Sequence, residues 1–141
     1  MSSCSCVFCG LLSGEGRATW VARREGASAL LPLAEGRLSP AHTLVVPNTH
    51  VVGIHEASAE SLQAVMMLAQ EIARAMETAL GARGVNILSA SGPDSGQSVP
   101  HFHLHLVPRW EDDGLDTWPV TVSTRQLDDG WLGAVRSTLT P

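Results

Sequence analysis

The residues best placed to do chemistry are three histidines that alternate with apolar residues in the segment PHFHLHLV. His101, His103 and His105 occupy every second position there. Alternate side chains of a β-strand point to opposite faces, so in extended backbone the imidazoles of all three histidines would share one face. A solvated polar face explains one such histidine, but three in strict alternation favour a functional site, where imidazole serves as metal ligand, nucleophile or acid and base.

The length of this strand limits what the histidines can share. At about 3.3 Å per residue, His101 and His105 lie roughly 13 Å apart along the strand. Zinc binds imidazole nitrogen at about 2.0 to 2.1 Å. A single metal ion therefore cannot bind all three histidines.

The loop SASGPDSGQSVP directly before the histidines is rich in hydrogen-bond donors. Gly92, Gly96, Gln97 and Ser98 offer backbone N–H groups, an amide and a hydroxyl, which suit phosphate oxygens. Taken alone, GPDSG is an ordinary turn. Its position beside the histidines favours a phosphate-binding loop.

Three cysteines, Cys4, Cys6 and Cys9, lie within six residues near the N-terminus. An odd number at this spacing does not suit a disulfide framework and favours metal binding or redox chemistry. The stretch MSSCSCVFCG also lacks the basic and apolar regions of a signal peptide, so we expect a cytoplasmic protein.

Composition excludes several classes of function. The chain has 141 residues, 44% of them hydrophobic, and a formal net charge of −5. This length suits one domain, 1–141, with a real core. No apolar run approaches the roughly 18 residues of a membrane span, and no long basic cluster is present to grip a nucleic acid polymer. We expect a soluble protein that binds neither membranes nor nucleic acid polymers.

Local patterns predict five strands and two helices. Apolar and β-branched runs predict strands over 20–24, 29–33, 43–46, 85–88 and 102–107. Ser58 and Gly81 are the predicted cap and end of a long amphipathic helix, and 131–139 is predicted to form a short one. This order predicts an α+β domain with a largely antiparallel sheet.

Three motifs together resemble the histidine triad (HIT) family. They are CVFC at 6–9, SPAHTLVVPNTHV at 39–51 and GQSVPHFHLHLVPR at 96–109. The resemblance covers about 6–110, and the tail 111–141 adds little to it. It implies the HIT-like α+β fold, with an antiparallel sheet of about five strands packed by one long helix and a short C-terminal helix, and it implies a homodimer.

The resemblance also implies a reaction. HIT-like enzymes are hydrolases or transferases that cleave nucleotide conjugates, such as dinucleoside polyphosphates or nucleoside phosphoramidates, at an α-phosphorus. His103 would be the nucleophile that forms a nucleotidyl-histidine, and His105 would contact the same phosphate. Gln97 and Ser98, with the backbone of Gly96, would bind phosphate or leaving-group oxygens. The substrate would be a small molecule, a purine nucleotide conjugate.

Two further roles follow from the resemblance. His42 matches a family histidine that supports the site. Zinc-bearing members imply a structural zinc ion, whose ligands here would be Cys6, Cys9, His50 and His101, with Cys4 as a spare, competing thiol. A zinc ion that itself catalyses hydrolysis is the other interpretation of this cluster, and chelation would then abolish the chemistry without unfolding the protein.

The chain departs from the family pattern at two positions. Pro32 stands where many members carry an acidic residue that holds the ribose hydroxyls, and Ala90 stands where an asparagine is common. These departures favour an alternative function, a nucleotide- or partner-binding module with little or no turnover.

Overall fold

The computed structural model describes residues 5–139, so the prediction for Cys4 lies outside the described residues. Five strands form one antiparallel sheet in the order β1-β2-β3-β5-β4. The strands are β1 (Trp20–Arg23), β2 (Ala27–Leu30), β3 (Thr43–Pro47), β4 (Gly84–Leu88) and β5 (Leu104–Arg109). The helices are α1 (Val7–Leu12), α2 (Ala59–Leu80) and α3 (Trp131–Thr138). The predicted α+β class is confirmed.

The long helix α2 begins and ends where the sequence predicts. The Ser58 hydroxyl accepts a hydrogen bond from the Ser61 N–H at 3.1 Å, and Gly81 closes the helix with a left-handed φ of 65°. Its buried side chains recur at helical spacing and cover one face of the sheet: Val65, Leu68, Ala69, Ile72 and Met76. Burial of this stripe positions the sheet beneath α2.

Both faces of the central strands are buried. On β3, Val45 belongs to the core beneath α2, whereas Leu44 and Val46 pack with Phe8 of α1 on the opposite face. Helix α1 is not predicted from the sequence, because six residues are too few to show helical periodicity. This short helix covers the face of the sheet on which the histidines lie.

The histidine strand differs from its prediction at both ends. Strand β5 begins at Leu104 rather than Phe102 and runs on to Arg109. The Phe102 N–H donates to the carbonyl of Val51 in a loop at 2.7 Å, so it does not join the ladder with β3. The predicted alternation still holds, since Phe102, Leu104 and Leu106 are buried in the core beneath α2.

Strand β2 also starts earlier than predicted. Gly26, with a φ of 92°, allows a tight turn in which the Arg24 N–H donates to the Ala27 carbonyl at 2.9 Å. Pairing therefore begins at Ala27 and ends at Leu30. Pro32 shortly afterwards has no N–H with which to extend a ladder.

The end of β5 is tied to the segment that follows it. The Arg109 guanidinium donates to the Asp113 carboxylate at 2.8 and 2.9 Å, to Asn86 on β4 at 2.7 Å and to Thr117 at 3.2 Å. Beyond this anchor α3 buries no residue. No helix within 5–139 is both long and apolar enough to cross a bilayer.

We predict that Leu106→Ala lowers the free energy of unfolding by about 2 to 5 kcal/mol, because the side chain is fully buried and its loss leaves a cavity. Urea titration followed by tryptophan fluorescence measures the change. Leu127→Ala is the control, since Leu127 is 63% exposed and its loss should change stability by less than about 0.5 kcal/mol. Equal effects of the two substitutions would contradict the described core.

Candidate active site and metal centre

Each triad histidine has a different hydrogen-bond partner, and the partner decides which ring nitrogen carries the proton. The Nε2–H of His101 donates to the carbonyl of Pro47 at 2.9 Å. The other ring nitrogen of His101, Nδ1, therefore keeps its lone pair. This nitrogen faces Cys6, Cys9 and His50.

The four side chains implied as metal ligands lie together. The Nδ1 atom of His101 is 3.4 Å from the Cys6 sulfur, 3.6 Å from the Cys9 sulfur and 3.2 Å from the His50 Nδ1. The Cys9 sulfur is 3.2 Å from the same His50 nitrogen. All four ligand atoms lie within 4.8 Å of one another. His101 and Cys6 are buried, while His50 is at the surface.

These separations fit a tetrahedral ion. Four ligands at ordinary zinc distances would place two nitrogens about 3.3 Å apart, and nitrogen and sulfur about 3.6 Å apart. The observed values of 3.2 to 3.6 Å lie close to this geometry. Cys6 caps α1 and Cys9 lies within it, so the CxxC spacing brings both sulfurs to one end of the helix. The cluster can hold a metal ion.

His103 is oriented by the neighbouring peptide group. Its Nδ1–H donates to the carbonyl of His101 at 2.7 Å, so Nε2 keeps its lone pair. The ring is 5% exposed and lies against the edge of Phe8, with 5.3 Å between ring centroids. Burial lowers the pKa of His103, and the hydrogen bond to the His101 carbonyl partly opposes this. The result is a neutral imidazole with a free lone pair, which is the form of a nucleophile.

His105 and His42 form a short relay that starts at a backbone amide. The Leu38 N–H donates to Nδ1 of His42 at 3.0 Å, so the proton of this ring is on Nε2. The Nε2 atom of His42 lies 3.0 Å from Nδ1 of His105, and its N–H donates a hydrogen bond to that nitrogen. His105 must then carry its own proton on Nε2, which makes it a hydrogen-bond donor beside His103.

The relay is held in its neutral form by its surroundings. Burial, followed by the charge of Arg37, lowers the pKa of His42. Burial, followed by the neighbouring His103 and His42, lowers the pKa of His105 to about 4. Neutral rings are needed here, since a protonated His42 could no longer accept the Leu38 N–H.

A cavity of about 410 Å³ opens beside His103 and His105. Its walls are mostly apolar and come from α1, from β2 and from the turn after β2. Its lining residues are Val7, Phe8, Leu11, Arg17, Ala18, Leu30, Leu31, Pro32, Leu33, Gly36, Leu44, Ser98, Val99, His103 and His105. An apolar cavity with a few polar groups at one place is the usual form of a small-molecule site.

The residues of the glycine loop are placed differently from one another. Ser98 lines the cavity with His103 and His105. The Gln97 amide instead holds the loop: its oxygen accepts the Gly92 N–H at 2.9 Å, and its nitrogen donates to the Val52 carbonyl at 2.6 Å. Gly96 supplies a left-handed φ of 87° just before Gln97, which a residue with a side chain rarely adopts.

Two other residues singled out from the sequence have clear positions. Pro32 lines the cavity, whereas Ala90 is not among its lining residues. His55, the remaining histidine of the chain, is exposed. Phe8 and Arg17 also line the cavity, and neither was predicted from the sequence. The position of Phe8 between the two cysteines of CVFC could have indicated that it lies near the site.

Comparisons with known proteins agree with this geometry. The HIT domain family model matches residues 21–112. An uncharacterized 16.1 kDa HIT-like protein of Mycoplasma pneumoniae is 38% identical over 79% of this chain and 76% of its own length. The adenosine 5′-monophosphoramidase hnt1 of Schizosaccharomyces pombe is 31% identical over 82% of this chain and 84% of its own. The crystal structure of a Zn-bound histidine triad family protein from Mycobacterium smegmatis is 36% identical, covers 80% of this chain and 81% of its own, and superimposes with a TM-score of 0.75.

We predict that the purified protein holds one divalent metal ion per chain and that Cys9→Ser removes it, because three ligands bind far more weakly than four. Elemental analysis gives the metal content, and thermal unfolding should show a Tm lowered by roughly 10 °C or more. Cys4→Ser is the matched control and should keep both the ion and the Tm. Loss of the ion in Cys4→Ser, or its retention in Cys9→Ser, would contradict the ligand assignment.

We also predict that acid weakens the fold through the His42 and His105 relay. Imidazoles of the unfolded chain titrate near pH 6.5, and that of folded His105 near 4, so between these values the unfolded chain binds more protons. The free energy of unfolding should therefore fall as the pH falls from 6.5 to 4, by about 2 kcal/mol for His105 after allowance for its partial exposure.

Urea titrations at pH 7.0 and 4.5 measure this difference. His105→Asn should show a smaller fall than the unmodified protein, whereas His55→Asn, at an exposed histidine, should show the same fall. An unchanged fall in His105→Asn would refute the assignment.

Proposed function

The chain belongs to the HIT family. From this premise we propose that it is a hydrolase or nucleotidyl transferase that cleaves nucleotide conjugates at an α-phosphorus. We also propose that it acts as a single HIT domain. The observation that carries the proposal is the pair of ring nitrogens at the cavity. His103 has a lone pair on Nε2, and the neighbouring His105 has a proton on Nε2. A nucleophile beside a fixed donor is what transfer of a phosphorus group requires.

In the first step, Nε2 of His103 attacks the phosphorus and the bond to the leaving group breaks. The ring becomes positively charged, and its Nδ1–H continues to donate to the His101 carbonyl, whose partial negative charge stabilises the imidazolium. The Nε2–H of His105 and the Ser98 hydroxyl donate to phosphoryl oxygens as negative charge spreads over them. The leaving group departs with the bonding electrons and takes a proton from water.

In the second step, water attacks the same phosphorus and the bond between phosphorus and His103 breaks. The bonding electrons return to Nε2, a proton is released to solvent, and a nucleoside monophosphate leaves. With an alcohol or phosphate in place of water, the same step is a transfer. The histidine is restored with its proton still on Nδ1.

The glycine loop supports this chemistry from its backbone. Ser98 lines the cavity, and the Gln97 amide fixes the loop by bonding to Gly92 and Val52. We therefore propose that Gly96, Gln97 and Ser98 form the phosphate-binding loop, with Ser98 and backbone N–H groups making the contacts. In this proposal Gln97 positions the loop through its hydrogen bonds, and its amide also binds the leaving group.

We propose that the metal ion is zinc and that it is structural. Two thiolates and two imidazoles suit zinc, and four protein ligands leave no open position for substrate. When bound, zinc would supply a rigid crosslink between α1, His50 and the His101 segment. The His101 carbonyl, which orients His103, is part of that crosslinked segment. A catalytic zinc is disfavoured because the reacting nitrogens belong to His103 and His105, outside the cluster.

We propose the cytoplasm as the location and a homodimer as the assembly. Cys6 and Cys9 lie in the metal cluster rather than in a disulfide, and cysteines in this form suit a reducing compartment. Strand β4 is an edge of the sheet and exposes Ile87, and an apolar groove of about 390 Å³ lies between α2 and β5, lined by Met66, Phe102 and others. Unpaired strand edges and apolar patches are typical of subunit interfaces.

The substrate is proposed to be a purine nucleotide conjugate. The named activity of the S. pombe relative, adenosine 5′-monophosphoramidase, supports a phosphoramidate. A binding module without turnover is the second candidate, favoured by Pro32, which gives the cavity no acidic side chain for a ribose.

We predict measurable turnover within a panel of an adenosine phosphoramidate, a guanosine phosphoramidate and diadenosine polyphosphates. His103→Ala should lower kcat/KM on the order of a thousandfold or more, because no other neutral lone pair faces the phosphorus. His55→Ala should leave it unchanged. Thermal unfolding of His103→Ala checks that the fold persists, and nucleotide binding without turnover in the unmodified protein would establish the binding module instead.

A further inference from the structure

The cavity beside the triad is lined by an arginine that forms no ion pair with any residue of the described range 5–139. Arg17 lines the cavity together with Pro32, Ser98 and the two histidines, and none of the lining residues is acidic. The ion pairs among the described residues join Arg24 with Glu71, Arg83 with Glu111, and Arg109 with Asp113, so Arg17 takes part in none of them. Arg17 is exposed to solvent and lines the cavity.

A second arginine adds to this charge. The Nε–H of Arg37 donates to the carbonyl of Pro32 at 3.1 Å, so its guanidinium lies next to the same part of the cavity wall. Its charge reaches the site, since after burial it contributes to lowering the pKa of His42. Glu35, in the short turn between Pro32 and Arg37, forms no ion pair with either arginine. Two arginines therefore border the cavity, and none of its lining residues is acidic.

The same wall has no group that would select a sugar with free hydroxyls. In nucleotide sites, a carboxylate commonly accepts hydrogen bonds from a ribose diol, whereas an arginine accommodates a phosphate on the sugar. A carboxylate would repel such a phosphate, while a planar guanidinium binds it with two parallel hydrogen bonds. This cavity has Pro32 and Arg17 in its wall and no carboxylate, so it suits a sugar that carries a phosphate.

The proposed reaction leaves the nucleotide part of the substrate intact. In an in-line displacement the leaving group departs opposite to the attacking nitrogen of His103. In the proposed function the nucleoside would occupy the apolar part of the cavity, to which Phe8 and Leu30 contribute, and Arg17 lines that same cavity. An extra anion bound there belongs to the nucleotide part of the substrate and remains intact through the reaction.

Resting on the proposed function, we infer that Arg17 is a specificity residue that binds a second phosphate on the sugar, so that the substrate class is a 5′-conjugate of a nucleoside 2′,5′- or 3′,5′-bisphosphate. The phosphorus at the 5′ position is attacked by His103. The sugar phosphate only binds, and supplies affinity and discrimination.

Calorimetric titration of the metal-containing full chain tests this inference without depending on turnover. The probes are AMP, adenosine 2′,5′-bisphosphate and adenosine 3′,5′-bisphosphate, and the two bisphosphates distinguish the position of the phosphate. We expect one of the bisphosphates to bind about tenfold more tightly than AMP, because the second phosphate forms a charge-assisted pair of hydrogen bonds that AMP lacks. Arg17→Gln should reduce this preference to about twofold or less, and Arg17→Lys should keep part of it.

Arg125→Gln is the matched control, since it removes the same charge at an exposed arginine that does not line the cavity, and it should keep the full preference. Equal or tighter binding of AMP by the unmodified protein would overturn the inference and leave the proposed function standing. An unchanged preference in Arg17→Gln would overturn the role of Arg17. Failure of all three nucleotides to bind would overturn both the inference and the proposed function.

Discussion

The hydrogen bond from Nδ1–H of His103 to the carbonyl of His101 is the interaction on which the rest of the site depends. A neutral imidazole has one proton for two nitrogens, so a buried acceptor at one nitrogen leaves the lone pair at the other. The same rule, applied to His101 and the Pro47 carbonyl, leaves the lone pair of His101 on the nitrogen that faces the cysteines. His101 and His103 thus have different chemical roles, because different backbone carbonyls determine which ring nitrogen of each carries the proton.

The scaffold keeps these acceptors in place. Strand β5 fixes His105, and α2 buries the opposite side of the same segment through Phe102, Leu104 and Leu106. Helix α1 closes the histidine side, with the Phe8 ring in edge contact with His101 and His103 at centroid distances of 5.7 and 5.3 Å. In the proposed function, a metal ion at the cluster would join α1 to the His101 segment. It would stiffen the carbonyl that orients His103 and would supply no chemistry of its own.

Local patterns in the sequence predicted the parts of this structure that are determined locally. The period-two histidines, the Ser58 cap and the Gly81 end of α2 depend on neighbours a few residues away, and the structure confirms them. The ligand cluster could be predicted only through resemblance, since its members come from distant parts of the chain. The tautomers could not be predicted, because the acceptor for His101 is 54 residues away at Pro47. The position of Arg17 at the cavity likewise depends on how α1 and β2 pack together. A periodic pattern of residues does not reveal how two separate elements pack.

The most direct test of this account is to assign the tautomers of the triad by long-range ¹H–¹⁵N NMR at neutral pH, with His42→Gln and His105→Asn used to identify signals. We expect His103 to be neutral with its proton on Nδ1, and His42, His101 and His105 to carry theirs on Nε2. A proton on Nε2 of His103, or an imidazolium at this position at neutral pH, would contradict it, because the nitrogen assigned to attack phosphorus would then have no lone pair.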